Sequence, residues 1–394
     1  MLTSREQAAV QAVDESEVVA LLRALVRTPS VNGDEEAAAQ VVAEYLERAG
    51  IAPRLDYLEP GRPNVLADFG RGEGTTLLWN AHLDTVAIGN REAWSADPFG
   101  AELRDGRIIG RGASDDKGGV AVMAAAAAAI ARTGPVCGRL RLAFVVGEET
   151  GHVGTRAAVA RGLTADLAIV GEWSGSARVG IGYRGALWLA IETRGRSAHG
   201  SRPARGLNAV DLMTEQVLPR LKSLPMTFAR NPIFMIQEPT WSVGTIAGGV
   251  GTNVVADYCR ATVDLRLVPG QDPQAVLTQI RERVEGLRYP NGEPGKVDIT
   301  VLSAVGPFVT PVEHPVVATL SASIRDLLGV EPGYFGKTGV SDANVLAHEA
   351  AIPSVAYGPG NASGHEPDEY VEVMELVKCT RVLAVAALRS CGPA

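Results

Sequence analysis

Three short apolar runs in this chain each stop at a carboxylate or an imidazole: TTLLWNAHLD at His82 and Asp84, LRLAFVVGEE at Glu148 and Glu149, and ADLAIVGE at Glu172. Runs that are apolar nearly throughout fit strands covered on both faces, which places them in a sheet buried between helices. In open sheets of that kind, ligands gather beyond the carboxyl ends of the strands. Two further candidates join the series: Asp115 in the turn GRGASDDKGG and His365 in the loop GPGNASGHEPDE. Taken singly, an acid after a strand is an ordinary turn or cap residue. Taken together, the set describes a metal centre of imidazole and carboxylate without thiolate, a donor set that favours hydrolysis through polarised water over a closed structural role.

A chain of 394 residues is longer than one core usually supports. The first half alternates helix and strand: ESEVVALLRALVRT and EEAAAQVVAEYLERAG carry apolar residues at three- and four-residue spacing, and NVLADF and the three runs above read as strands. GVAVMAAAAAAIA is too short to span a membrane, and its alanines suit a helix packed closely on a sheet. A different rhythm begins near Gly182. It runs strand, helix, two strands, helix, strand, which is the ferredoxin-like order of a compact α+β unit. After about Thr310 the first pattern returns. The chain therefore reads as an α/β domain with a mostly parallel sheet, residues 1–179 and 307–394, carrying an inserted domain at 180–306.

The formal net charge is -8, which disfavours a nucleic-acid partner. Cys137, Cys259, Cys379 and Cys391 are scattered without metal-like spacing, as in a reducing compartment. The N-terminus has no basic segment followed by an apolar one, so a cytoplasmic protein is expected.

His82 and Asp84 stand two apart at a strand end, where a carboxylate can accept the N–H of a ligand imidazole and orient it. Asp115 precedes the alanine helix and can bridge two ions, although Asp116 has an equal claim on residue type. Of the glutamate pair, one can bind metal while its neighbour takes a proton from water. Glu172 can complete a second ion's shell. His152, His314 and His348 lack that context and read as structural or surface residues.

These motifs resemble the zinc- or cobalt-dependent family of aminoacylases, acetylornithine deacetylases, succinyl-diaminopimelate desuccinylases and glutamate carboxypeptidases. The histidine-x-aspartate motif matches His82-Leu83-Asp84, the glycine-rich aspartate-x-lysine motif matches Asp115 and Lys117, and the double glutamate matches GEETG. The resemblance implies two divalent ions, most readily zinc, with cobalt or manganese as alternatives. One ion would be held by His82 and Glu172, the other by Glu149 and His365, with Asp115 between them. It makes Glu148 the general base and Asp84 the orienting carboxylate. Where the family carries proline after the ligand acid, this chain has Trp173, an aromatic wall beside Glu172.

In the inserted domain GRSAHGSRPARGLNAV resembles the segment whose histidine, here His199, reaches the reacting carbonyl, often across a dimer interface. Arg266 and Asn253 resemble residues that bind the substrate carboxylate. The resemblance thus implies a homodimer formed through the inserted domain, acting also as a lid. The implied reaction is hydrolysis of an N-acyl amino acid, acetylornithine type first. Desuccinylation, with Arg184, Arg202 or Arg205 meeting a second carboxylate, and dipeptidase or carboxypeptidase action follow. A noncatalytic metal-containing binding protein is the alternative from another class.

Overall fold

The computed structural model describes residues 1–392. The chain divides into two compact units, one of Met1–Gly182, Val309–Gly336 and Ser341–Ala394, the other of Tyr183–Phe308 with Lys337–Val340.

The chain opens with α1 (Ser4–Gln11), α2 (Glu15–Arg27) and α3 (Glu36–Arg48), then β1 (Pro53–Glu59), β2 (Arg62–Gly70), β3 (Thr76–His82), β4 (Glu102–Arg104) and β5 (Arg107–Ile109). Next come α4 (Lys117–Ala131), β6 (Arg139–Val145), α5 (Val153–Ala160), β7 (Leu167–Val170) and β8 (Arg178–Tyr183). The second unit is built from β9 (Gly185–Arg194), α6 (Ala209–Asp211), α7 (Leu218–Lys222), β10 (Thr240–Gly248), β11 (Tyr258–Leu267), α8 (Pro273–Val284) and β12 (Lys296–Val305). The remaining elements are β13 (Phe308–Val309), α9 (Pro315–Leu328), β14 (Gly333–Lys337), α10 (Asp342–Glu349), β15 (Ser354–Ala356), β16 (Tyr370–Glu372) and α11 (Val373–Cys391).

The main sheet runs β1-β2-β6-β3-β7-β15-β8-β13, with β14 beside β8. Its centre is parallel where β6, β3, β7 and β15 adjoin. The expectation of a mostly parallel sheet needs correction, because β1, β2 and β8 add antiparallel pairs and make it mixed. The cause on one side is local: a two-residue turn joins β1 to β2, and so short a link permits only an antiparallel partner. The return of Lys337–Val340 to the second unit likewise follows from pairing, since Arg184 N–H donates to Lys337 O at 3.1 Å.

Helix α4 positions the site. Every residue from Lys117 to Ile130 is buried, so the helix is packed on all sides, against β3, α2 and α11. Gly119 lets its first turn come close to the end of β7, because a Cβ there would strike the Asp116 carboxylate and the Gly171 carbonyl. Helix α2 presents Val18, Leu21, Leu22, Leu25 and Val26 inward, and its cap Asp14 accepts the Ser16 N–H.

The second unit has a four-stranded antiparallel sheet in the order β10-β11-β9-β12. Alternation along β11 buries Cys259, Ala261, Val263, Leu265 and Leu267 on one face. Those residues pack with Val276, Leu277, Ile280 and Val284 of α8 in one apolar cluster. Strand β10 is an edge, with Val243 and Ile246 exposed. Among the described residues no helix is long and apolar enough to cross a membrane.

Candidate metal centre

Parallel pairing brings the acidic run-ends together. His82 lies opposite Val145 and Asn80 opposite Val170, so Glu148, Glu149 and Glu172 follow their strands at the edge where β3 ends. The turn before α4 brings Asp115 to the same edge; its peptide to Asp116 is cis.

Ligand atoms of His82, Asp115 and Glu149 all lie within 4.8 Å of one another. Asp115 divides its carboxylate between two histidines, with Oδ1 3.1 Å from His82 Nε2 and Oδ2 3.5 Å from His365 Nε2. Glu149 Oε1 is 2.8 Å from His365 Nε2. The donor set fits a divalent cation, because a ring nitrogen and carboxylate oxygens converge here without thiolate. His82 Nδ1 lies 2.9 Å from the Asp84 carbonyl oxygen, which turns Nε2 toward the cluster.

Asp84 makes contacts beyond the expected one. Its carboxylate is 3.6 Å from His82 Nδ1, farther than its own carbonyl. That carboxylate also accepts the backbone N–H groups of Glu148 and Glu149 at 3.0 and 3.1 Å, and so fixes the glutamate pair. Asp116, the rival to Asp115, is fully buried and accepts the His82 backbone N–H at 3.3 Å, away from the ligand cluster. Glu172 is buried, and its charge is among those that act on Glu148.

A second layer escaped the sequence. Glu369 is fully buried and accepts four donors: Arg111 Nη1 at 2.6 Å, and the N–H groups of Gly112, Ser114 and Asp115 at 3.1, 2.8 and 2.9 Å. Pairing of β16 with β5 sets it there, through Tyr370 opposite Ile109. One carboxylate thereby ties the Asp115 turn to the loop carrying His365. Its signal in HEPDE was one more acid among polar loop residues. Replacing Glu369 with glutamine is expected to weaken divalent-metal affinity about 10- to 100-fold, the range for partners that orient ligands. Zinc titration against a competing chelator measures it, and wild-type affinity would contradict the assignment.

The cluster's protons reflect its charge. Burial pulls the His82 imidazole down, but Asp115 and Asp84 outweigh it and hold it well above the ordinary histidine value. Burial pushes the Glu148 carboxyl up to about 8, against the opposing pull of His152 and His82. The hydrogen bond to Glu149 raises His365 to about 9. A histidine titrating near 9 is protonated at pH 7 and must lose that proton to bind metal, so affinity rises with pH up to that value. Between pH 6 and 8 zinc affinity is expected to tighten at least about tenfold, by up to about 100-fold for each proton displaced. Chelator-buffered titration at the two pH values checks this, and a flat profile would refute it.

The remaining candidates fall elsewhere. Trp173 stacks on Phe335 with centroids 6.1 Å apart and lines a cavity of about 330 Å³ with Arg178, Asn361 and Tyr370. In the second unit, His199 is exposed, and its Nδ1 accepts the Ser201 backbone N–H at 3.1 Å, which puts the ring proton of the neutral form on Nε2. Its loop adjoins that of Asn253, where Gly200 N–H donates to Asn253 O at 2.7 Å. Arg266 faces Asp264 with Nε 2.9 Å from Oδ1, so its charge already has a partner. Arg184 is not an open anion site: it is buried, and its Nη2 donates to Glu238 O, Thr240 Oγ1 and Arg266 O.

A family model described as peptidase family M20/M25/M40 matches residues 78–389. The chain belongs to peptidase family M20/M25/M40. A succinyl-diaminopimelate desuccinylase of Cereibacter sphaeroides is 31% identical over 373 residues, covering 91% of this chain and 94% of the relative. An acetylornithine deacetylase of Proteus mirabilis is 30% identical over 379 residues, covering 93% and 94%. Among solved structures, the aminopeptidase PepT of Bacillus cereus superposes with a TM-score of 0.78 at 22% identity, covering 95% of this chain and 98% of that one. A metallo-carboxypeptidase of Sulfolobus solfataricus gives 0.76 at 21% identity, covering 94% and 98%. These two likenesses establish the fold: a mixed α/β sheet flanked by helices with a smaller inserted β-rich domain. With the family and the ligand cluster together, this M20/M25/M40 member is a metal-dependent amide hydrolase, and the noncatalytic alternative is set aside.

Proposed function

We propose that the protein hydrolyses the amide of a small N-acyl amino acid, acetylornithine type first, at a centre of two divalent ions, zinc before cobalt or manganese. The observation that supports this most is the Asp115 carboxylate set between His82 and His365, the arrangement a bridging ligand needs. In this reading His82, Asp115 and Glu172 would hold one ion, and Asp115, Glu149 and His365 the other. Bound ions would polarise the amide carbonyl and acidify the attacking water. Glu148 takes the water's proton and returns it to the leaving nitrogen. Asp84 keeps the glutamate pair in register by holding both backbone N–H groups.

The family resemblance assigns His199 to the developing oxyanion, and a proton on Nε2 suits a donor there. It assigns Asn253 and Arg266 to the substrate carboxylate; Arg266 would exchange Asp264 for it. Trp173 would narrow the acyl side. The exposed edge strand β10 suits pairing with a second copy in a homodimer. Desuccinylation stands second, because the desuccinylase relative is as similar as the deacetylase and Arg202 and Arg205 are exposed on the His199 loop.

A panel of N-acetylornithine, N-succinyl-diaminopimelate and a dipeptide decides. The expected result is a kcat/KM at least about tenfold higher for N-acetylornithine, a difference of about 1.4 kcal/mol in transition-state binding. Preference for the succinyl substrate would install the second reading. Equal rates on all three would end the idea of a dedicated deacylase.

A further inference from the structure

We infer that His152, held by Asp342, is a positioning residue for the Glu148 carboxylate; this rests on Glu148 being the general base. His152 Nδ1 lies 3.2 Å from Glu148 Oε1 and 3.3 Å from Asp342 Oδ1. All three side chains are buried, at 6%, 9% and 2% exposure, so no bulk water competes for these contacts. A single ring nitrogen thus faces two carboxylates carried by different elements. Glu148 follows β6, and Asp342 is the first residue of α10, whose cap Ser341 accepts the Ala343 N–H at 3.2 Å. Helix α10 is therefore a rigid anchor for the imidazole.

The backbone adds an independent observation. His152 precedes α5 with φ +60°, the left-handed region where a side chain other than glycine is disfavoured. Gly151 stands immediately before it, yet the imidazole occupies this position and points at the glutamate rather than at solvent. Its role is a demand of the chemistry. A glutamate side chain has three rotatable bonds, and one that collects a proton from water and delivers it to nitrogen must present the same oxygen to both. The imidazole nitrogen 3.2 Å from Oε1 takes up that side of the carboxylate, leaves Oε2 for that work and excludes rotamers that turn it away. His152 lies outside the ligand cluster, so its effect falls on turnover and not on metal.

The test compares two replacements of similar size in the zinc-loaded enzyme with N-acetylornithine, or with N-succinyl-diaminopimelate if that is the faster substrate. His152→Gln keeps an N–H donor, and His152→Met does not. The Met variant is expected to lose about 10- to 100-fold in kcat, in line with losses from misplacing a catalytic group, with KM within about twofold. The Gln variant should recover most of it. Zinc affinity by chelator competition should match the wild type in both. Asp342→Asn should lower kcat, and its effect should vanish in the His152→Met background, the non-additivity expected of residues acting through one another.

Equal kcat in the Met and Gln variants, or a loss that follows zinc affinity, would overturn the inference. If the Met variant fails to fold by thermal melting, the kcat of Asp342→Asn and of His152→Gln decides: wild-type kcat in the first or a collapsed kcat in the second overturns it. Glu148→Gln in the same assay separates the premise. Turnover near wild type there refutes the base itself, whereas a collapse there beside an unimpaired His152→Met refutes only the positioning.

Discussion

Glu148→Gln is expected to lower kcat by at least about 100-fold and up to about 10,000-fold, roughly 3 to 5 kcal/mol of barrier, the span measured for loss of a general base. Zinc should remain bound, because Glu148 is outside the cluster formed by His82, Asp115 and Glu149. The amide keeps the size of the carboxylate but cannot accept and return a proton. Burial already pushes the Glu148 carboxyl up to about 8 in the metal-free protein, so the group holds protons readily. Cations arriving beside it favour the ionised form, which is the form a base requires. Measured by steady-state kinetics with parallel zinc analysis, retained turnover would remove Glu148 from the proton-transfer role.

Asp115→Ala is expected to fail at an earlier stage. Its carboxylate pairs with both histidines, 3.1 Å from one and 3.5 Å from the other. Removing it leaves His82 and His365 without their common partner. Divalent-metal affinity should fall by at least about 100-fold, at or beyond the upper end of losses caused by partners that only orient ligands, and turnover should fall with it. Added zinc should restore little. The contrast with Glu148→Gln is the informative part: one variant is inactive with metal bound, the other inactive because metal is lost. Zinc analysis after gel filtration distinguishes them, and full metal content in Asp115→Ala would deny it the bridging place.

Much of this centre was legible in the chain. The apolar runs around Trp79, Leu142 and Ile169 fit buried strands, and strands leading to His82, Glu148 and Glu172 align those residues when they pair in parallel. The alanine helix after Asp115 was equally readable, since its run of small apolar side chains suits close packing on a sheet. The ferredoxin-like order of the second unit followed from periodicity alone.

Other parts were not. Glu369 reaches the Asp115 turn across 254 residues of chain, and Asp342 reaches His152 across 190. No local pattern encodes such meetings. His152 read as a structural or surface residue because nothing in GHVG distinguishes an imidazole turned inward from one turned to water. Arg184 read as an anion binder because charge is visible in a sequence while its partners are not; it is buried and donates to the Glu238 and Arg266 carbonyls.

What the sequence by itself determined is the kind of chemistry and the sheet edge where it sits, because side-chain type and strand period are local properties. Only the tertiary structure decided which oxygen faces which nitrogen. It put Asp115 rather than Asp116 in the candidate cluster, gave the Asp84 carboxylate the backbone of the glutamate pair as well as the histidine, and set His152 and Glu369 behind the centre. The reason is that a buried polar group must find its partner wherever packing delivers one, and packing is a property of the whole chain.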